Sequence, residues 1–391
     1  MKRDAVIVSA VRTPVGKYGG VLAPVKDYEL GIEVIREAVK RADIPTEEID
    51  DVYFGNLLGV PGNVAKVAAM GAGLPAHIPA VTIDRQCASG LESISIAAAM
   101  IKSGMGDIYI AGGCESMTNR PYYMEKQSKL FDARPPRFLE NMFAPPTGFE
   151  QITMGQTAEN IFEDYEFSRE ELDQCSYESH MKAVKAIKAG NFREQIIPLE
   201  VPQKKRAILV DTDEGPREHT NMEQLGRLKP LFKENGKVTA GNSCPMNDGA
   251  AALVVMSREK AEAGGCKILA SITDSCAVGV DYRKMGLGPV YATRKLLEKT
   301  KIDKKEIGLV ELNEAFAVQT LACLQELKFD KEIVNVNGGA IALGHPLAAT
   351  GAVLSTKILY EMKKRSTRYG LVTMCIGGGQ GMAMLFKNEE K

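Results

Sequence analysis

The feature that most constrains the fold of this 391-residue chain is an internal repeat. Residues 41–56 align with residues 299–314 at a constant offset of 258, which matches Ile44 with Ile302. In each half, an opening strand and an amphipathic helix precede this segment, and a strand that runs into glycines closes the half. The simplest interpretation is two similar α/β units packed about a pseudo-twofold axis. The alternative is a chance likeness between two amphipathic patterns.

Short β-branched runs alternate with helical patterns in both halves. In the first half the pattern predicts strands over 5–10, 51–55, 78–84 and 107–113, with helices over 29–42 and 89–103. Strand–helix–strand alternation builds parallel sheets through right-handed crossovers, so we expect a mainly parallel sheet with helices on its faces. The predicted fold class is therefore α/β.

A region of different composition, about 118–245, interrupts the first half. It is rich in proline, aromatic and charged residues, and a strand over 249–257 then resumes the first unit. Long insertions in compact domains are usually lids or binding surfaces. We therefore predict a first half over 1–117 that is completed by 246–268, an inserted loop domain over 118–245, and a second half over 269–391.

Composition argues against several classes of partner. The formal net charge of −1 gives no reason to expect nucleic acid or an anionic membrane. No segment approaches the ~18 to 20 apolar residues that a membrane span needs. The eight cysteines form no C-x-x-C pair and no regular spacing, so neither a disulfide framework nor a metal centre is expected. The predicted compartment is the reducing cytoplasm.

Two residues stand at corresponding turns of the two halves. Cys87 opens the helix start C-A-S-G, where helix N–H groups favour thiolate over thiol. The alternative is a buried structural cysteine. His345 lies among the glycines of GGAIALGHPLAATG, and the alternative there is a loop histidine with a structural role. If equivalent strand ends meet, His345 can take the proton of Cys87 and create a nucleophile. The polar surroundings of His180 and His219 predict surface positions.

Two further strand ends carry polar or reactive groups. Asn313 and Glu314 follow the strand LVEL, where they can line a ligand crevice or cap a helix. Cys375 precedes Gly377 to Gly379, whose N–H groups can stabilise an oxyanion because no Cβ obstructs them. A bystander cysteine in a tight turn is one alternative, and a phosphate loop is another, although its usual spacing is absent. Two thiols, one histidine and glycine loops together favour acyl transfer.

Ordered motifs along almost the whole chain resemble those of the thiolases, in particular the acetyl-CoA acetyltransferase group. The matching segments are VIVSAVRTPVGKYGG, DRQCASGLES, GGCESMTNRPYY, MGQTAEN, AGNSCPMNDGAAA, NEAFA, GGAIALGHPLAATG and CIGGGQG. The resemblance implies a five-layered αβαβα fold and chains paired at least as dimers, with tetramers possible. It also implies coenzyme A and acetyl-CoA as substrates, with no permanently bound cofactor. The implied reaction is reversible condensation of two acetyl-CoA molecules, or thiolytic cleavage of a short 3-ketoacyl-CoA.

The resemblance implies a role for each site residue. Cys87 would be the acylated nucleophile, His345 its activator, and Cys375, with a moderate pKa, the acid and base. Asn313 would hold a water that binds the thioester oxygen together with His345. The N–H groups of Cys87 and Gly377 would form a second oxyanion hole. The coenzyme A passage would be lined by Arg217 near the nucleotide end, Cys244 beside the pantetheine arm, and Thr153, Met154, Ala240 and Phe316.

The sequence departs from the usual thiolase pattern in four motifs. The departures are Ala88 for glycine after the nucleophile, Ala348 and Thr350 for glycine and serine in the histidine loop, Thr153 for histidine, and Cys244 for serine. These departures leave the reacting groups in place, but they affect which acyl-chain length is preferred and how tightly coenzyme A binds. Region 118–150 also lacks the usual tetramerisation-loop sequence. The alternatives are a medium- or long-chain 3-ketoacyl-CoA thiolase of β-oxidation, a non-catalytic acyl-CoA-binding protein, and a β-ketoacyl synthase relative, against which the second thiol argues.

Overall fold

The computed structural model describes residues 3–60, 62–126, 135–138 and 148–389. The strands are β1 (Ala5–Arg12), β2 (Gly16–Lys17), β3 (Asp51–Gly55), β4 (Ala80–Ile83), β5 (Ile108–Ser116), β6 (Leu199–Val201), β7 (Ile208–Val210), β8 (Asn247–Ser257), β9 (Ala270–Gly279), β10 (Ile307–Leu312), β11 (Tyr369–Ile376) and β12 (Gln380–Lys387). The helices are α1 (Asp27–Ala42), α2 (Val64–Gly71), α3 (Ser89–Ser103), α4 (Met154–Asn160), α5 (Arg169–Lys188), α6 (Met222–Gly226), α7 (Arg258–Ala263), α8 (Gly288–Thr300), α9 (Ala317–Leu327), α10 (Ala340–Leu343) and α11 (Thr350–Arg365).

The strand order shows the internal repeat directly. The main path runs β10-β11-β12-β9-β1-β8-β5-β3-β4. β1 and β9 pair through Val6 and Ile7 alone, so the path divides into one sheet from each half. Reading outward from this junction, the first half has β1-β8-β5-β3-β4 and the second has β9-β12-β11-β10. Val334 forms a parallel bridge to Val310 of β10, in the place that β4 takes beside β3.

The expectation of a mainly parallel sheet is wrong. Within the described strands, β3 pairs in parallel with β4 and β5, and β10 pairs in parallel with β11. The pairs of β8 with β1 and β5, and of β12 with β9 and β11, are antiparallel. The last strand of each half, β8 or β12, causes this difference, because it runs antiparallel to both of its neighbours. The sheets are therefore mixed.

Helices on both faces of the two sheets give five layers. α3 and α11 pack against each other between the sheets. α1 and α2 cover the outer face of the first sheet, and α8 and α9 cover that of the second. The contact between α3 and α11 requires glycine, because a Cβ on Gly351 would lie 2.4 Å from the backbone nitrogen of Leu91. The five-layered αβαβα arrangement is confirmed.

The chain leaves the sheets between β5 and β8. There it forms α4, α5, α6 and the antiparallel pair β6–β7. α5 packs on α9 and on α10, which directly precedes the loop of His345. Part of the segment on which the tetramer question depends, 127–134 and 139–147, lies outside the described residues. Among the described helices, none is long and apolar enough to span a membrane.

Candidate active site

Cys87 lies in the turn that joins β4 to α3. Gln86, directly before it, has a φ of 48°, a left-handed conformation that is uncommon for residues other than glycine. Ser89 holds the turn: its Oγ accepts the N–H of Arg85 at 2.9 Å and donates to the carbonyl of Gln86 at 2.6 Å. Sharp, strained turns from a strand into a helix are a known way to present a nucleophile at the edge of a sheet.

The Cys87 thiol is protonated in the free protein. Burial raises its pKa to about 11, although hydrogen bonding from the N–H groups of Gly377 and of Cys87 itself opposes this rise. The charges of Glu115 and Asp84 raise the pKa further. The N–H groups thus favour thiolate in the predicted direction, but desolvation outweighs them and the net pKa is raised. A base must remove the proton as the sulfur attacks.

His345 is held in a fixed orientation by two side chains. Gly344 precedes it with a φ of 103°, and a Cβ there would lie 2.6 Å from Cγ of Asn247. Asn247 Oδ1 accepts the backbone N–H of His345 at 2.9 Å, and Nδ1 of the ring lies 2.7 Å from Thr350 Oγ1. Nε2 is thus the nitrogen available for proton transfer. Burial lowers the pKa of His345 to about 4, so the ring is neutral at pH 7 and able to accept a proton.

The loop of His345 packs against the helix that begins after Cys87. A Cβ on Gly90 would lie 2.7 Å from the carbonyl oxygen of Ala348, and one on Gly113 would lie 2.5 Å from it. The corresponding turns of the two halves therefore meet, as the repeat predicted. Within the described residues, no hydrogen bond joins Cys87 to His345 in the free protein, and proton transfer between them remains a prediction.

Cys375, at the end of β11, is a buried thiol near the half-buried Cys87. It shares an apolar cluster with Met154, Cys244 and Phe316. Burial raises the pKa of Cys375 well above its usual value, and charge on Cys87 would raise it further. Burial likewise raises the pKa of Cys244 to about 12, again with a contribution from Cys87. The three thiols thus lie close together, and the prediction of a moderate pKa for Cys375 is wrong because the group is buried.

The turn from β11 to β12 consists of Gly377, Gly378 and Gly379, of which two have positive φ values and one borders open space. Gly378 and Gly379 have φ values of 85° and 80°, which disfavour a side chain. A Cβ on Gly377 would come no nearer than 3.7 Å to any atom, the closest being Met154 Sδ and Gln86 Oε1. The Gly377 N–H is directed at the Cys87 sulfur. Open space beside this N–H allows an acyl oxygen to approach it.

Asn313 follows β10 and is fully buried. Its backbone N–H donates to the carbonyl of Thr373 at 3.0 Å, but no described residue bonds Oδ1 or Nδ2 of its side chain. A buried polar group without a partner costs roughly 1–3 kcal/mol, so a polar ligand or water is favoured there. Glu314 differs, because its carboxylate accepts bonds from Ser179 Oγ at 2.6 Å and Asn335 Nδ2 at 2.8 Å. Glu314 is therefore structural.

Three predicted coenzyme A ligands are exposed in the free protein. Arg217 is exposed, and its backbone N–H donates to His180 Nδ1 at 3.2 Å. Ala240 is also exposed. Thr153 caps α4, where its Oγ1 accepts the N–H of Gln156 at 3.3 Å. Their binding roles remain predictions.

The surface position predicted for His180 is wrong, whereas His219 is exposed as predicted. Burial, followed by the charges of Arg217 and Lys17, lowers the pKa of His180 to about 4. Polar neighbours in the sequence were misleading, because His180 lies on the buried side of α5. The sequence reasoning also missed Asn247 as a partner of His345, although Asn247 stands in the motif AGNSCPMNDGAAA.

Comparisons with known proteins point to one family. The family model described as thiolase, N-terminal domain, matches residues 5–259, and that described as thiolase, C-terminal domain, matches residues 266–388. An acetyl-CoA acetyltransferase of Syntrophomonas wolfei is 44% identical over 98% of this chain and 99% of the relative. Beta-ketothiolase BktB of Cupriavidus necator is 42% identical over 99% and 100% of the two chains. The crystal structure of the Bacillus anthracis acetyl-CoA acetyltransferase covers 99% of both chains at 40% identity, with a TM-score of 0.95. This chain belongs to the thiolase family.

Proposed function

We propose that this protein is an acyltransferase that moves an acetyl group between coenzyme A thioesters through an acyl-enzyme on Cys87. It cleaves short 3-ketoacyl-CoA with free coenzyme A and, in reverse, condenses two acetyl-CoA molecules. The observation that carries the proposal is a pair of thiols, Cys87 and Cys375, that come from opposite halves and lie close together. A neutral His345 on the adjoining loop completes the set.

Thiolysis begins with attack of the Cys87 sulfur on the 3-keto carbon while Nε2 of His345 takes the thiol proton. The C2–C3 bond breaks, its electron pair passes to C2 of the departing acetyl-CoA, and Cys375 donates a proton there. Cys375 then takes the proton of incoming coenzyme A, whose sulfur attacks the acyl carbon. Cys87 leaves as the thiolate, and His345 returns the proton to it. The raised pKa of Cys375 supports this order, because the group begins protonated and ready to act as the acid.

Two sets of donors would stabilise the oxyanions of this reaction. The N–H groups of Cys87 and Gly377 both act on the Cys87 sulfur, the atom that carries the acyl group. The unpartnered side chain of Asn313 supports a bound water that, with His345 Nε2, would face the thioester oxygen. These roles explain why a buried amide can remain without a protein partner.

The segment 118–245 is the proposed coenzyme A-binding loop domain, inserted into the first half. That half comprises 1–117 and 246–268, and the second half comprises 269–391. Met154, Cys244 and Phe316 would border the pantetheine arm, because they pack in one cluster with Cys375. The charges of Arg217 and Lys17 both act on His180, and two cations around one point support a phosphate-bearing end of the ligand there. The proposed contacts of Thr153 and Ala240 extend this passage. Eight free cysteines support a reducing cytoplasm as the compartment.

The proposed assembly is a homodimer that forms at the edge strand β4. Among the described strands it pairs on one side only, with β3, and its residue Val81 is 43% exposed. An unpaired edge with exposed apolar residues is a template for pairing with a second copy. Sedimentation equilibrium is expected to give twice the chain mass of 42.5 kDa, and a species at 42.5 kDa would exclude the dimer.

A thiolysis series over 3-ketoacyl-CoA substrates tests the substrate class. We expect kcat/KM to be highest for acetoacetyl-CoA and at least about tenfold lower for long chains, because Met154 and Phe316 fill space around the thiols. A preference for long chains would favour a β-oxidation thiolase instead. Equilibrium binding of coenzyme A without any turnover would favour a non-catalytic protein. The names of the relatives favour neither alternative.

A further inference from the structure

Glu115, at the end of β5, is a buried carboxyl group that the proposed chemistry does not use. It is fully buried within the motif GGCES. Its Oε2 accepts the N–H of Leu57 at 3.3 Å and of Ala348 at 3.2 Å. Its Oε1 accepts the N–H of Leu58 at 3.1 Å and Nδ2 of Asn56 at 3.5 Å. All four partners are donors, an arrangement that suits a carboxylate because it only accepts.

The donors belong to opposite halves of the molecule. Residues 56–58 follow β3 in the first half, whereas Ala348 lies in the second half between His345 and α11. Two residues beyond Ala348, Thr350 bonds the ring of His345 at 2.7 Å. A single carboxylate therefore ties the loop of the proposed base to the half that carries the nucleophile.

The charge of Glu115 also acts on Cys87. After burial, which is the main cause, that charge contributes to the raised pKa of the Cys87 thiol. Burial raises the pKa of Glu115 itself to about 8, opposed first by the N–H of Ala348 and increased by the charge of Asp27. Above pH 8, therefore, the carboxylate and the thiol are coupled electrostatically.

We propose that Glu115 is a positioning residue, which holds the loop of His345 against the half that carries Cys87. It acts through His345 and Cys87, because both of its oxygens are already engaged by donors of the protein itself. This inference rests on the proposed function, since His345 and Cys87 are the groups that it would position. Loss of the carboxylate should thus change turnover and thiol reactivity together, whereas a purely structural residue would change turnover alone.

Glu115→Gln tests both effects at constant side-chain size. In either orientation, the new amide turns an NH2 group towards two of the four donors. At pH 9, where the Glu115 carboxylate is charged, we expect kcat for acetoacetyl-CoA thiolysis to fall at least about tenfold, with KM within about twofold. We also expect alkylation of Cys87 by iodoacetamide at pH 9 to become at least about twofold faster, because loss of the carboxylate charge lowers the pKa of the thiol and raises its thiolate fraction.

Two further variants complete the experiment. Glu115→Asp keeps the charge but is too short to span the donors, so kcat should fall while the alkylation rate stays within about 1.5-fold of wild type. This variant also serves if Glu115→Gln does not fold. The matched control is Asp50→Asn at the opposite end of β5, where Asp50 accepts the N–H groups of Asp107 and Ile108 at 2.6 and 2.9 Å. It should leave both readouts unchanged.

Peptide mass spectrometry after alkylation identifies which of the eight thiols is modified, so the alkylation rate of Cys87 is measured separately from the others. An alkylation rate in Glu115→Gln equal to or below that of wild type would overturn the proposal. So would a kcat within twofold of wild type in the folded variants. Failure of the wild type to cleave acetoacetyl-CoA would refute the proposed function instead, because the alkylation comparison needs no turnover.

Discussion

Cys87→Ser is expected to lower kcat for acetoacetyl-CoA thiolysis by at least about 1,000-fold. Burial already disfavours the anion of the thiol, whose pKa rises to about 11, and a hydroxyl is intrinsically less acidic. A serine ester is also a poorer acyl donor than a thioester, so the second half-reaction would slow as well. Intact-mass measurement after incubation with acetyl-CoA should show one added acetyl group on the wild type and none on the variant.

The control for this substitution is Cys266→Ser. Cys266 lies on the outer side of the first half, where its Sγ donates to the carbonyl of Ala42 at 3.8 Å. Serine can make a similar bond, and kcat should remain within about twofold of wild type. If Cys87→Ser retained more than about 1% of the activity, or if acetyl accumulated on another residue, Cys87 would not be the nucleophile.

The repeated halves could be predicted from sequence because they depend on local periodicity. The match between residues 41–56 and 299–314 anticipates the equivalent positions of β3 and β10. Strand direction could not be read in the same way. Whether β8 returns parallel or antiparallel to β5 depends on a connection of more than one hundred residues, which carries no local signal of direction.

The positions of the reacting groups were also predictable, since Cys87, His345 and Cys375 each lie at a strand or loop end marked by glycines or small residues. Their protonation states were not. Helix termini and nearby N–H groups can be inferred from local sequence, but desolvation depends on what distant segments cover. For Cys87 and Cys375 this distant contribution prevails, and both thiols are protonated at neutral pH.

Partners that are remote in sequence were missed for the same reason. Glu115 and Ala348 are bonded across the two halves, as are Asn247 and His345. Each pair joins residues that no helical or strand period relates. The motifs that contain Glu115 and Asn247 can be recognised in the sequence, but only the packing of one half on the other shows which groups meet. The contacts between the two halves are therefore the main feature of the site that the structure shows and the sequence does not.

Cys375→Ser is expected to separate the two proton-transfer roles of the site. The variant should still gain an acetyl group on Cys87, while kcat for thiolysis and for condensation should fall at least about 100-fold. A buried serine hydroxyl can neither protonate the departing enolate nor remove a methyl proton at a useful rate. Exchange of the acetyl-CoA methyl hydrogens with deuterated water, followed by NMR, should be fast in the wild type and lost in the variant.

Cys323→Ser is the matched control, because Cys323 is another buried thiol close to Cys375 and donates to the carbonyl of Gly286 at 3.4 Å. Its kcat should stay within about threefold of wild type. Normal condensation by Cys375→Ser would exclude the acid–base role, and so would normal methyl exchange. Both directions begin from the protonated thiol of Cys375, because in condensation Cys375 gives its proton to the departing coenzyme A before it removes the methyl proton. The raised pKa of Cys375 keeps this starting form populated at neutral pH.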